Sequence, residues 1–296
     1  MGLSASLLGS GIALSSAAAW ALCSILFHRI GEESSPAGMN LAKCAIGACS
    51  LGITLLCIGT QPMDAKTFLL LGSSGLLGIA LGDTFFFKAL SLLGPRLILL
   101  LETLGPLVTV LLAVIFLHER PSFLIWIGAL LVLGGITVVV WEKMPREKII
   151  LRVSGIICAL LFVLCNSVAI ILAKVAIASL PALQATFIRL AWAMAGLCLW
   201  GALTRQLAQW TAPFKNLPLF RNILFSSLLA DFGGFWLSLL ALKYIDVSVA
   251  TILNATTPLF ILPLAFLMLN EKISLRAILG ATSAVAGVGL VLFLQR

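Results

Sequence analysis

Ten long apolar runs, joined by short polar connections, govern what this 296-residue chain can become. A helix rising ~1.5 Å per residue needs about 20 mostly apolar residues to cross a ~30 Å hydrocarbon layer. The runs have that length and are continuous rather than alternating, so they predict spanning helices and not barrel strands. In the first half they cover Gly9–Phe27, Ala37–Gly59, Thr67–Phe87, Leu97–Leu117 and Phe123–Trp141. In the second they cover Ile149–Ala173, Pro181–Leu203, Ile223–Leu242, Val247–Leu269 and Ala277–Leu294. Composition agrees: 61% of residues are hydrophobic and 10% charged, against roughly 25% charged in soluble domains. A water-soluble shell, a disordered chain and a disulfide-stapled module are all excluded on those figures. The net charge of +8 rests on few charges in total. Basic loops at an anionic lipid surface explain it, and nucleic acid is not an expected partner. The expected location is the cell (plasma or inner) membrane, crossed many times.

The seven cysteines fall inside apolar runs without a C-x-x-C pair, and the two histidines, His28 and His118, stand beside span ends. They suit packing, with no metal site, cofactor or disulfide framework. Residues 1–27 lack a basic leader and are followed at once by another span, so a retained first helix is expected rather than a signal peptide. Met1-Gly2 with Ser6 fits the myristoylation pattern, which a protein with many spans does not need. The connection Thr204–Arg221 mixes Trp210, Phe214, Leu217 and Phe220 with Arg205, Lys215 and Arg221, and is expected to lie in the interface, aromatic side down.

The halves repeat. A shift of 152 places Pro106 on Pro258, Glu119 on Glu271, Ser122 on Ser274, Gly128 on Gly280 and Gly135 on Gly287. Earlier, a shift of 145 pairs Arg29 with Lys174 and Pro36 with Pro181, and one further residue sets Lys43 against Arg189. The expected organisation is a first five-helix repeat over 1–142, a charged linker over 143–148 and a second repeat over 149–296. Five spans per copy send the second into the membrane from the opposite side. That makes an inverted repeat, in which two halves can rock around a central site.

Each half ends with proline, about a dozen apolar residues, Glu-basic-x-Ser and a glycine-punctuated helix: Pro106, Glu119-Arg120-Pro121-Ser122, Gly128 and Gly135, then Pro258, Glu271-Lys272-Ile273-Ser274, Gly280 and Gly287. With Trp20, Lys43 and Arg189, these residues give a chain that resembles the EamA-like branch of the drug/metabolite transporter superfamily over its whole length. The resemblance implies an all-α membrane protein of ten transmembrane helices in two inverted five-helix repeats. It also implies export or exchange of small metabolites, amino-acid-like compounds among them. Two departures stand out: the family usually has glycine before the signature glutamate, where this chain has His118 and Asn270, and Lys43 replaces the commoner arginine.

Ionisable groups at membrane depth are costly, so each is a functional candidate. Lys43 and Glu102 lie roughly 9 Å from the face where the first span ends, and Asp83 and Lys88 fall in the last turns of the third span, near the same face. Snorkelling accounts for Lys88 and for Lys43, but the side chain of Glu102 is too short for it. Arg189 and Asp231 lie near mid-depth, about 12 and 13 Å from opposite faces. Asn254 occupies the place of Glu102, so the halves differ electrostatically. Two readings stand side by side: buried ion pairs that hold the bundle together, or the lining of a substrate or proton route. Pro106 and Pro258 each free the carbonyl four residues back, that of Glu102 and of Asn254, and are expected to bend their helices toward a cavity or simply for packing. Glycines at 72, 75, 78 and 82 are expected at close helix contacts.

The expected function is a secondary active transporter, exporter or exchanger, of a small polar or amphiphilic metabolite by alternating access, with a proton as the candidate coupling ion. The alternatives are a flippase for a lipid-linked head group and a structural membrane subunit. No enzyme is expected: Gly82-Asp83 lacks the glycine at position 80 that an intramembrane aspartyl protease would need, and no nucleophile–histidine–acid set or phosphate-cradling loop occurs. Twelve of the nineteen basic residues fall in loops on the face where the first span ends and five on the other, which places both termini outside.

Overall fold

The computed structural model describes residues 3–30, 35–102, 104–141, 149–178, 180–211, 216–257, 259–260, 263–264 and 275–293, and these are helices joined by short turns. Helix α1 covers Leu3–Ile30, α2 Pro36–Ile58 and α3 Ala65–Ser74. A π-helical segment, Gly75–Gly82, leads into α4 (Asp83–Glu102), followed by α5 (Leu104–Phe116) and α6 (Phe123–Trp141). The second half begins with α7 (Ile149–Ile177), α8 (Ala182–Leu203) and the single turn α9 (Leu207–Trp210). Helix α10 (Leu217–Leu228) continues through a second π-segment, Leu229–Trp236, into α11 (Leu237–Tyr244). Helices α12 (Val247–Asn254) and α13 (Leu275–Phe293) complete the described chain.

Six stretches are long and apolar enough to cross a membrane: Ala5–His28, Pro36–Ile58, Ala65–Leu93, Val153–Ile177, Ala182–Leu203 and Leu217–Tyr244. They fall on the first three expected spans and on the sixth to eighth. Leu104–Phe116 and Phe123–Gly135 are shorter apolar helices on the fourth and fifth. The ninth span reaches far into residues outside the described set, α13 covers the tenth, and the linker 143–148 lies outside that set, so these residues give six full spans rather than a count of ten. The expected break between Phe87 and Leu97 is absent, because helix runs unbroken from Asp83 to Glu102. Pro95 withholds one backbone donor, which interrupts one hydrogen bond without ending the helix.

The surface of this bundle is apolar. Leu56, Phe123 and Leu203 are 87%, 77% and 76% exposed, while Lys43 and Asp231 are wholly buried and Arg189 nearly so. Water would penalise that arrangement, and hydrocarbon favours it. Trp210, expected at the interface, is instead buried: Gly38 and Gly201 leave room for it beside α2 and α8, and it meets Trp200 edge-on at 5.5 Å. Leu217 is exposed and Phe214 lies outside the described residues.

The halves interlock. Helix α2 packs on its counterpart α8, and α6 on α13. At the second crossing the duplicated glycines face one another: a Cβ on Gly135 would strike the Gly280 carbonyl, and one on Gly287 would strike that of Gly128. Helix α1 packs on α10, the second π-segment, α11 and α12, while α7 packs on α3, the first π-segment, α4 and α5.

Candidate functional site

The π-segments set the geometry of the centre. In the first, the Asp83 N–H reaches back to both Gly78 and Ile79, so the ladder loosens where the glycines cluster. Asn40 of α2 gathers the loosened groups, its Nδ2 donating to the carbonyls of Ile79 at 2.8 Å and Ala80 at 3.2 Å and to Thr84 Oγ1 at 3.0 Å. In the second, Ser16 of α1 donates to the Gly234 carbonyl at 2.9 Å. The glycines also admit neighbours: a Cβ on Gly75 would collide with the carbonyl of Arg189, and one on Gly72 with the Trp192 ring.

Between these segments lies a cavity of about 160 Å³, walled by both halves of the chain. Lys43, Asp83, Glu102, Arg189 and Asn254 line it, with Pro106 beside Glu102. Trp20, Phe86, Phe87, Phe162 and Phe235 supply most of its apolar wall, and Ser24, Thr109, Asn166, Ser238, Thr251 and Thr257 its small polar groups. The aromatic rings brace one another, Trp20 against Phe235 at 4.9 Å and Phe86 against Phe162 at 5.1 Å.

Lys43 donates to Asp83 Oδ2 and lies over the Phe235 and Phe87 rings, 4.8 and 5.5 Å from their centroids. Opposite charge and aromatic faces together offset the desolvation of a buried ammonium. Arg189 is placed differently. Its Nε has no hydrogen-bond partner, and the carboxylate that acts on it, Asp83, is already bonded to Lys43. Asp231 is buried behind Lys43 against Gly47, off the cavity wall, and neither carboxylate oxygen has a hydrogen-bond partner.

Of the residues singled out from sequence, five charged or amide side chains therefore share one cavity, Asp231 stands behind it, and Lys88 is exposed and outside it. Lys88 comes five positions after Asp83, which turns it to another face of the helix. Pro258 lies outside the described residues. One turn earlier, α12 ends at Asn254, whose carbonyl accepts the Thr257 hydroxyl at 2.7 Å. Asn40 and Asn166 escaped the sequence reading, although an amide inside an apolar span was signal enough to mark both. Glu119, used there to register the repeat and as part of the family signature, accepts from the N–H groups of Val247 at 2.9 Å and Ser248 at 3.1 Å and from the Ser248 hydroxyl, capping α12 across the two halves. Among the described residues no cluster of histidine, cysteine and acid is arranged to hold a metal ion.

Comparison with known proteins follows the same lines. The family model described as "EamA-like transporter family" matches twice, over residues 7–141 and 153–293. A solved structure described as "Crystal structure of protein" superposes with a TM-score of 0.76 at 20% identity, covering 100% of this chain and 99% of the other. At that identity the likeness is one of fold. No curated protein matches the chain.

Proposed function

The chain belongs to the EamA-like transporter family, and on that premise we propose that it is a secondary active exporter or exchanger of a small polar or amphiphilic metabolite in the cell membrane, working by alternating access. One observation carries this reading: a single cavity, walled by residues from both repeats, collects four ionisable side chains inside a bundle whose outer surface is apolar. A purely structural ion pair needs no cavity beside it and no third or fourth charge. Inverted-repeat transporters place their sites between the repeats, where rocking of one half on the other opens the cavity to each face in turn.

In this reading the aromatic wall receives the apolar part of the solute. Glu102, on the wall one turn before Pro106, carries the coupling proton. The test is purified protein in liposomes, loaded with a broad metabolite panel and assayed for counterflow and for flux driven by a pH gradient. Glu102→Gln keeps the shape and removes the charge, so it should abolish pH-driven flux while exchange of solute continues. An absence of flux for every solute would overturn the transporter reading, and undiminished pH-driven flux in Glu102→Gln would overturn the role of that carboxyl.

A further inference from the structure

The geometry points to Arg189 as the anchor for a carboxylate on the transported molecule, which makes the substrate a compact organic monoanion with an apolar body about one ring across. The inference rests on the transporter reading and adds the chemical class of its substrate. Arg189 lines the cavity yet is 4% exposed, and its Nε is without a hydrogen-bond partner. Burying a guanidinium with no anion on it is unfavourable, and a ligand that neutralises it recovers that cost on binding. Among the described residues no carboxylate forms an ion pair with it. Asp83, the carboxylate that acts on Arg189, is held by Lys43, and Asp231 stands off the cavity wall.

The charges on the wall then settle the sign. Lys43 and Asp83 cancel one another. With the coupling proton on Glu102, the guanidinium is the charge left among the described residues of the wall, and it calls for a single negative group rather than a cation. Its planar fork matches a carboxylate through two parallel hydrogen bonds. The first π-segment makes room for the guanidinium: Nη2 of Arg189 lies over Gly78, 3.5 Å from where a Cβ would stand, while Arg189 itself lines the cavity. The remaining wall fixes the body of the ligand. Five aromatic side chains line a space of about 160 Å³, and a cavity near 150 Å³ is the size that accepts one benzene ring.

Three probes of one shape separate the possibilities: benzoate, its neutral isostere benzamide, and the cation benzylamine. Each is added to the purified full-length protein in detergent at neutral pH and low salt, with the thermal midpoint as readout. Benzoate should raise the midpoint in proportion to the logarithm of its concentration, and the other two should not. Arg189→Gln should abolish the benzoate response, while Arg189→Lys, which keeps the charge and loses the fork, should weaken it by tenfold or more in apparent affinity. If Arg189→Gln does not fold, the benzoate–benzamide difference in the unaltered protein decides. A response to benzylamine alone, an equal response to benzoate and benzamide, or a benzoate response that survives Arg189→Gln would each overturn the assignment. So would silence from all three probes in a protein that transports solutes in liposomes, whereas silence in both assays would remove the transporter reading itself.

Discussion

His118 has φ 54°, in the left-handed region where a β-carbon crowds the following carbonyl. The turn is needed because the next residue, Glu119, reaches from the end of α5 to the start of α12. The family this chain belongs to usually has glycine at that position, and the angle explains why. A non-glycine residue held there costs about 1–3 kcal/mol, part of which glycine returns through the larger entropy of its unfolded chain. His118→Gly should therefore raise the thermal midpoint of the purified protein, by a shift equivalent to roughly 1 kcal/mol. A lowered midpoint would mean that the imidazole makes a contact worth more than the strain. Sequence alone showed the departure from the pattern but not its cost, because a φ angle is fixed by where the chain must go next. The same holds for Arg189 and Asp231. Their depth was legible from residue spacing, whereas the lack of a partner depends on how the helices rotate.

Between α11 and α12 the backbone leaves one helix end and enters another, and two side chains from elsewhere and one from the turn itself attend to it. Lys174 of α7 donates to the carbonyls of Leu242 at 2.5 Å and Ile245 at 3.0 Å, Glu119 caps α12, and Asp246 sits beside both. Partial burial and the neighbouring Glu119 hold the Asp246 carboxyl above its ordinary value of 3.8, against the opposing pull of Lys174. The folded chain thus keeps that proton to higher pH than the unfolded one. The contribution favours folding below the ordinary value and is lost as pH rises through the raised one. Asp246→Asn should then melt later than the parent protein at pH 7, with the difference closing as the pH approaches 3.5. A constant gap at every pH would assign the effect to the amide rather than to the charge. The turn residues were legible as a loop, but their partners come from two distant segments. The π-segments escaped for a related reason. A glycine run announces close packing, yet the loosened carbonyls persist because Asn40 and Ser16, on other helices, catch some of them.

At the scale of the molecule, the duplication was legible because proline, glycine and charged residues recur in order, and hydropathy located the six full spans among the described residues. What the repeat could not show is that neither copy closes on itself. Each half sends its first helix onto the other: α1 lies on α10, α11 and α12, and α7 on α3, α4 and α5. The paired helices α2 and α8, and the glycine crossing of α6 and α13, belong equally to both. A half released alone would expose the faces of four helices that are cut for close contact, together with the Lys43–Asp83 pair or the Arg189 guanidinium. Lipid can cover apolar side chains but cannot replace helix-to-helix packing at glycines or neutralise a charge at depth. Cutting the chain between residues 143 and 148 and expressing 1–142 and 149–296 separately should give, for each half, aggregated material in detergent without a cooperative melt. Expressed together, the halves should copurify through a tag on one of them, at equal stoichiometry and with a single thermal transition. One half alone eluting as a monodisperse species with its own cooperative transition would show that the repeat is an independent folding unit, and that the interlocked helices follow folding rather than define it.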